Sequence, residues 1–177
     1  MEAVRTRRSA PRLTGPAPDD SELLELIQAA STAPDHGALK PWRLVTVRGE
    51  ARERLGKALA QAAPPERVER ALAAPLRAPL LLSLVFCPVA DHPKVPEWEQ
   101  LAAAVSVVGT LQLLLHSRGW GTMWRTGLAV ESPWVRDCVG VAPQEKLLGW
   151  LYTGTAPDPR PSPPRRPFDA TAHVSHL

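Results

Sequence analysis

The chain has 177 residues, 44% of them hydrophobic and 22% charged, with a formal net charge of +3; this is globular composition at the size of one domain, with apolar residues enough for a real core. Two cysteines, Cys87 and Cys138, lie far apart without CxxC spacing, which excludes a zinc knot or disulfide framework and leaves reduced, buried thiols as the expectation. With neither a charged leader followed by an apolar run nor a small-residue cleavage site, a cytoplasmic protein is expected.

The charge is uneven from the start. The arm "MEAVRTRRSAPR", residues 1–12, holds Arg5, Arg7, Arg8 and Arg12 against Glu2 alone. A local anion site fits that asymmetry better than a nucleic-acid face, whose basic residues spread over a whole surface. "PDDSELLELIQAAS" then places Asp19 three residues before Glu22 and sets Leu23, Leu26, Ile27 and Ala30 on one face, the pattern of a capped amphipathic helix. "PWRLVTVRG" predicts a strand over about residues 43–48. "EARERLGKALAQAA" predicts a helix with Leu55 and Leu59 inward, closed by Pro64 and Pro65.

A short helix in "ERVERALAAPL" leads to "APLLLSLVF", whose unbroken apolar run predicts a central strand covered on both faces. The segment "VPEWEQLAAAVSVVGTLQLLLHSRG" reads as a long helix, apolar nearly all round, stopped by Gly119. Its apolar run is shorter than the ~20 residues that span a bilayer and contains Ser106 and Gln112, so a core helix through the middle of the molecule is expected, and no membrane span. "WGTMWRTG" predicts a short strand or turn, "SPWVRDCVG" a short helix capped at Ser132 with Pro133 first, and "KLLGWLYTGT" a last strand. The proline-rich tail, residues 156–177, is expected to be extended and wrapped on something, or disordered. The whole predicts an α+β sandwich, one four-stranded sheet with helices packed over it, in a single domain of residues 1–177.

Several chemistries are absent as motifs. Gly119 and Gly121 are followed by Trp124 and not by a third glycine, which argues against a dinucleotide fingerprint. There is no GxSxG, HExxH or Walker lysine loop. The histidines show no metal spacing beyond His173 and His176 in the tail. What remains is "RRS" (Arg7, Arg8, Ser9) and "WRTG" (Arg125, Thr126, Gly127), each joining a guanidinium to a small hydroxyl. Those are the groups a phosphomonoester needs, charge-assisted forks plus neutral donors.

Taken with "APDHGALKPW", "RAPLLL", "HPKVPEWEQ", "ESPWVR" and "LLGWLYTGT", these motifs run along essentially the whole chain in an order that resembles the nitroreductase family of flavoproteins, in particular its minimal YdjA-type NAD(P)H nitroreductases. The resemblance implies a mainly antiparallel sheet flanked by helices, a homodimer with FMN in a groove at its interface, and a C-terminal tail embracing the partner. It further implies that Arg7, Arg8 and Ser9 hold the phosphate and ribityl end of FMN, that His36 lies beside the flavin across the interface, and that Trp124, Arg125 and Thr126 complete the site. NAD(P)H would pass hydride to N5 and leave, and a nitroaromatic or quinone-like acceptor would follow, a ping-pong scheme with no obligate catalytic side chain. Trp42, Trp120 and Trp124 are candidate slot walls or plain core. "HSRG" (His116, Ser117, Arg118, Gly119) either meets the nicotinamide nucleotide, Arg118 suiting a 2′-phosphate, or only caps a helix.

The sequence departs from the family where it matters. Many members carry a basic residue two positions after the arm's serine, near the flavin pyrimidine; here that position is Pro11, and Arg12 follows. Lys40 stands where a glutamine is frequent, and Ala38 where an asparagine is. Arg12 and Lys40 are therefore the candidates for the cation that stabilises reduced flavin. The other readings are a non-enzymatic flavin carrier of the same fold, or a flavin-fragmenting or dehalogenating relative.

Overall fold

In the computed structural model, which describes residues 1–157 and 166–177, the arm begins as a short helix, α1 (Glu2–Thr6), and Asp19 opens the next, α2 (Asp20–Ala30). The Asp19 carboxylate accepts from the Glu22 N–H at 2.8 Å, satisfying a first-turn donor. Glu22 does not return that bond as a full capping box would. Its carboxylate accepts from Trp120 Nε1 at 3.0 Å and ties α2 to the chain beyond the long helix.

Four strands, β1 (Trp42–Arg48), β2 (Leu80–Phe86), β3 (Gly121–Arg125) and β4 (Lys146–Gly154), form one sheet in the order β1-β2-β4-β3, each neighbouring pair antiparallel. All residues of β2 are buried, as its unbroken apolar run predicts. Alternate β2 side chains feed two cores. Leu81 and Val85 pack with Leu55 and Leu59 of α3 (Ala51–Gln61) and with Val135 and Val139 of α6 (Pro133–Val139). Leu80, Leu82 and Leu84 pack with Leu23 and Leu26 of α2 and with Val107, Val108, Leu111 and Leu115 of α5 (Glu97–Ser117). Helix α4 (Val68–Ala73) and a following 3-10 turn, Ala74–Arg77, lie against α3 and lead the chain into β2.

Helix α5 corrects one expectation. It was expected to run through the middle of the molecule, and it has the length and hydropathy of a membrane span, but it is covered along one side only. Gln100, Ala103, Ala104, Val107, Val108, Leu111 and Leu115 are buried, whereas Trp98 is 69% and Val105 40% exposed, with Ala102, Ser106 and Gly109 open beside them. A helix apolar all round needs cover on every side, and its own chain supplies half.

The thiols differ from expectation as well: both are free, but Cys87 is half-buried and Cys138 exposed. The proline-rich tail lies partly outside the described residues. Residues 166–177 are exposed, with a 3-10 turn at Ala170–His173 and the His173 ring stacked on Phe168 at 4.9 Å.

Candidate cofactor site

The arm is laid along the outer edge of the sheet. Ser9 bridges Thr122 of β3 in parallel, and the Ala10 N–H donates to the Thr122 carbonyl at 2.9 Å. This occupies an edge that would otherwise present unpaired main-chain groups. One residue further, the Pro11 carbonyl accepts from two guanidiniums, Arg77 Nη2 at 3.3 Å and Arg125 Nη2 at 3.5 Å. Arg8 folds back to the carbonyls of Arg5 and Arg7 at 3.2 and 3.4 Å, and Ser9 is exposed.

Beyond β3 the main chain is open. Thr126 is exposed, and Gly127 has φ 149° and ψ 172°, with no atom within 4 Å of the place a Cβ would take. That conformation belongs to glycine, and it leaves a stretch of backbone that a flat ligand can approach closely. Arg7, Arg8 and Ser9 thus lie beside the start of β3, and Arg125, Thr126 and Gly127 at and beyond its end, all along one edge of the sheet.

Their side chains do not all point to one place. Trp124 packs in the α2/α5 core and donates from Nε1 to the Leu148 carbonyl at 3.1 Å. Arg125, next along the strand, lies on the opposite face with its guanidinium 5.2 Å from the Tyr152 ring centroid. Strand alternation separates them. What Trp124, Arg125 and Thr126 share toward a ligand is main chain.

Charge at the Arg125 end of β3 is one-sided. Burial lowers the Arg125 pKa, and Arg77 and Arg70 lower it further, while burial raises that of Tyr152. Arg43, Arg48, Arg118 and Lys146 are each paired with a carboxylate; among the described residues Arg70, Arg77 and Arg125 are not. Arg125 Nε and, on the residue opposite it in the ladder, Trp150 Nε1 are buried donors with no hydrogen-bond partner among the described residues. A cationic end with guanidiniums that no carboxylate among the described residues pairs and with open main chain fits an anionic, planar cofactor such as FMN.

His36 stands elsewhere. It lies in a turn, His36–Ala38, where its Nδ1 meets Glu99 Oε2 at 2.7 Å in the first turn of α5. The Lys40 N–H donates to Asp35 Oδ2 at 2.7 Å, and Ala38 and Lys40 both take positive φ, at 51° and 48°, the left-handed region that non-glycine residues seldom adopt. At the other end of α5, His116 Nε2 lies 2.8 Å from Thr6 Oγ1 of the arm. At about 1.5 Å per residue, Glu99 and His116 are roughly 25 Å apart. Within one chain the His36 loop and the arginine arm cannot hold the same end of one cofactor.

The segment of residues 116–119 closes α5 as a cap. Ser117 Oγ donates to the Leu114 carbonyl at 2.7 Å, Arg118 pairs with Glu25 at 2.6 Å, and Gly119 takes φ 87°. Trp42, Trp120 and Trp124 are half-buried against the α2/α5 core, and Trp42 lines a small apolar cleft with Leu84, Val108 and Leu111. No cluster of metal-binding side chains occurs among the described residues, the His173 and His176 pair included. Sequence reasoning missed Arg77, Glu99 and Thr6. "RAPLLL" contains Arg77, but only the tertiary fold carries it to the arm.

An α+β sandwich with a basic arm stitched to its edge strand is the architecture of a known class. The chain belongs to the Nitroreductase family, whose model matches residues 4–155, and the resemblance drawn from the motifs is borne out. Within that family it is 38% identical over 176 residues, 91% of this chain and 96% of the other, to the Escherichia coli K12 protein named "Putative NAD(P)H nitroreductase YdjA". Among solved structures it is similar to a nitroreductase-like family protein from Bacillus cereus, with TM-score 0.87 and 24% identity over 99% of this chain and 94% of that one. It is also similar to the FMN and NADPH-dependent nitroreductase NfnB from Sphigopyxis sp. strain HMH, with TM-score 0.75 and 22% identity over 99% and 97% of the two chains.

Proposed function

We propose that this chain is an FMN-dependent NAD(P)H oxidoreductase of nitroreductase type, acting in the cytoplasm as a homodimer. The observation that carries the reading is the arm paired in parallel along the edge strand, which sets Arg8 and Ser9 beside the start of β3 and leaves the main chain at Thr126 and Gly127 open beyond its end, about 13 Å further along. Arg7, Arg8 and Ser9 hold the phosphate and ribityl end, and residues 124–127 border the ring through their backbone. When bound, FMN supplies the redox chemistry, taking hydride from NAD(P)H and giving it to a nitroaromatic or quinone-like acceptor.

The dimer supports the site and is supported by α5. Trp98, Ala102, Val105, Ser106 and Gly109 form one exposed stripe, and small residues let a second helix approach closely. An antiparallel α5 pair points one protomer's Glu99 end toward its partner's His116 end. His36 then reaches the cofactor gripped by the other protomer's arm. Residues 116–119 adjoin the arm through Thr6; a nucleotide phosphate meeting Arg118 there has to displace Glu25.

The test is colour and its loss. Purified protein is expected to be yellow, absorbing near ~450 nm as bound flavins do, to bleach with NADH or NADPH under nitrogen and to recover with a nitroaromatic. Colourless protein that takes up no added FMN would overturn the reading.

A further inference from the structure

We propose that Arg77, held beside Arg125 at the Pro11 carbonyl, is the cation that stabilises the reduced flavin in this protein. The inference rests on the FMN reading above and names a residue that reading does not include.

The arm's own cation is missing where the family resemblance expects one, since Pro11 occupies that position. In the fold that place is not empty of charge. Arg77 Nη2 and Arg125 Nη2 converge on the Pro11 carbonyl at 3.3 and 3.5 Å, from the turn before β2 and from the end of β3. Both distances are long for hydrogen bonds, and one neutral carbonyl shared by two cations leaves most of their repulsion in place. No carboxylate pairs with either among the described residues. A negative charge arriving at this spot relieves that repulsion, and reduction places one on the flavin.

The two arginines divide the work. Arg125 is anchored: its guanidinium covers Tyr152, and its Nε is sealed from solvent. Arg77 is exposed at the end of a 3-10 turn, and among the described residues its hydrogen bond is to Pro11 alone, so its fork can turn toward a ligand at small cost. The other candidates fit less well. Arg12 is exposed beyond Pro11 and makes no bond to β3, and Lys40, in the His36 loop, comes to this cofactor only from the other protomer, with its backbone N–H tied to Asp35.

Arg77→Gln, Arg77→Met, Arg77→Lys, Arg12→Gln and Lys40→Gln would each be purified with FMN and titrated anaerobically to the flavin midpoint potential. Removing the Arg77 charge is expected to weaken binding of reduced relative to oxidised flavin about tenfold, which is about 30 mV for a two-electron couple. Arg77→Lys should recover most of it, and Arg12→Gln and Lys40→Gln should match wild type. Unchanged potentials in yellow Arg77→Gln and Arg77→Met overturn the assignment, as does a shift produced by Arg12→Gln or Lys40→Gln instead. Equal loss of oxidised and reduced FMN would make Arg77 a mere holder of the arm and also overturns it. Wild-type protein that takes up no FMN at all overturns the parent reading, a result distinct from each of these.

Discussion

His36 Nδ1 lies 2.7 Å from Glu99 Oε2, which fixes the histidine to the first turn of α5, at the opposite end from the arginine arm. If the two act on one cofactor, they come from different chains. Subunit complementation follows. Arg8→Ala and His36→Ala homodimers are each expected to lose FMN affinity at every site. In a mixed dimer both defects fall in one groove and the other groove is intact. Tagged heterodimers should therefore regain about half the wild-type flavin content, on the symmetry logic of a two-fold interface. No recovery above the two parents would show that each site is built within a single chain.

The α5 stripe gives an independent test of the same dimer. No atom lies within 4 Å of a Cβ built on Gly109, and the position is exposed, so a side chain there starts into open space. Replacing a helical glycine adds roughly 0.5–1 kcal/mol of helix stability. Gly109→Leu should consequently leave the fold of the protomer intact while holding a second α5 away. Light scattering is expected to report a monomer with native circular dichroism and reduced FMN content. A Gly109→Leu protein that stays dimeric and yellow places the interface on another face.

Local patterns were legible in the sequence because local physics sets them. The Asp19 cap, the buried run of β2 and the length of α5 all depend on residues a few positions apart. The site was legible only as motifs. His36 meets Glu99 across 63 positions and Arg77 meets Pro11 across 66, distances at which spacing carries no geometry. The opposite facing of Trp124 and Arg125 follows from strand alternation, yet a motif read as one unit conceals it. The half-open α5 could not be read either, because an apolar face looks the same whether its own chain or another covers it.

Gly127 tests whether main chain borders the ligand. At φ 149° and ψ 172°, an alanine there is strained by about 1–3 kcal/mol, relieved by rotating the backbone just past β3. Gly127→Ala is expected to lower the melting temperature by a few degrees, on the scale of ~1 kcal/mol, and to weaken FMN binding more than Thr126→Ala, which trims only a side chain. Fluorescence titration of stripped protein with FMN measures both. Wild-type affinity in Gly127→Ala would remove this backbone from the site.

The last prediction concerns acid stability and is independent of any cofactor. Arg43 grips both Glu145 oxygens at 2.8 and 2.6 Å, the Ala142 N–H donates to the same carboxylate at 2.9 Å, and Cys87 Sγ lies 3.2 Å from it. The Arg43 hydrogen bond chiefly, against an opposing cost of burial, lowers the Glu145 pKa from 4.5 to about 2. Burial, together with the same carboxylate, pushes the Cys87 thiol up to about 11, so it stays protonated at neutral pH. Because the folded pKa of Glu145 is depressed, its stabilisation is present above pH 4.5 and is lost as the pH falls toward 2. The shift corresponds to stability on the order of 3 kcal/mol. Urea unfolding from pH 7 downward should show wild type losing that increment across this window. Glu145→Gln should start lower by a similar amount and converge on wild type in acid. Parallel curves for the two proteins across the window would show that the Arg43 pair does not set the acid limit of the fold.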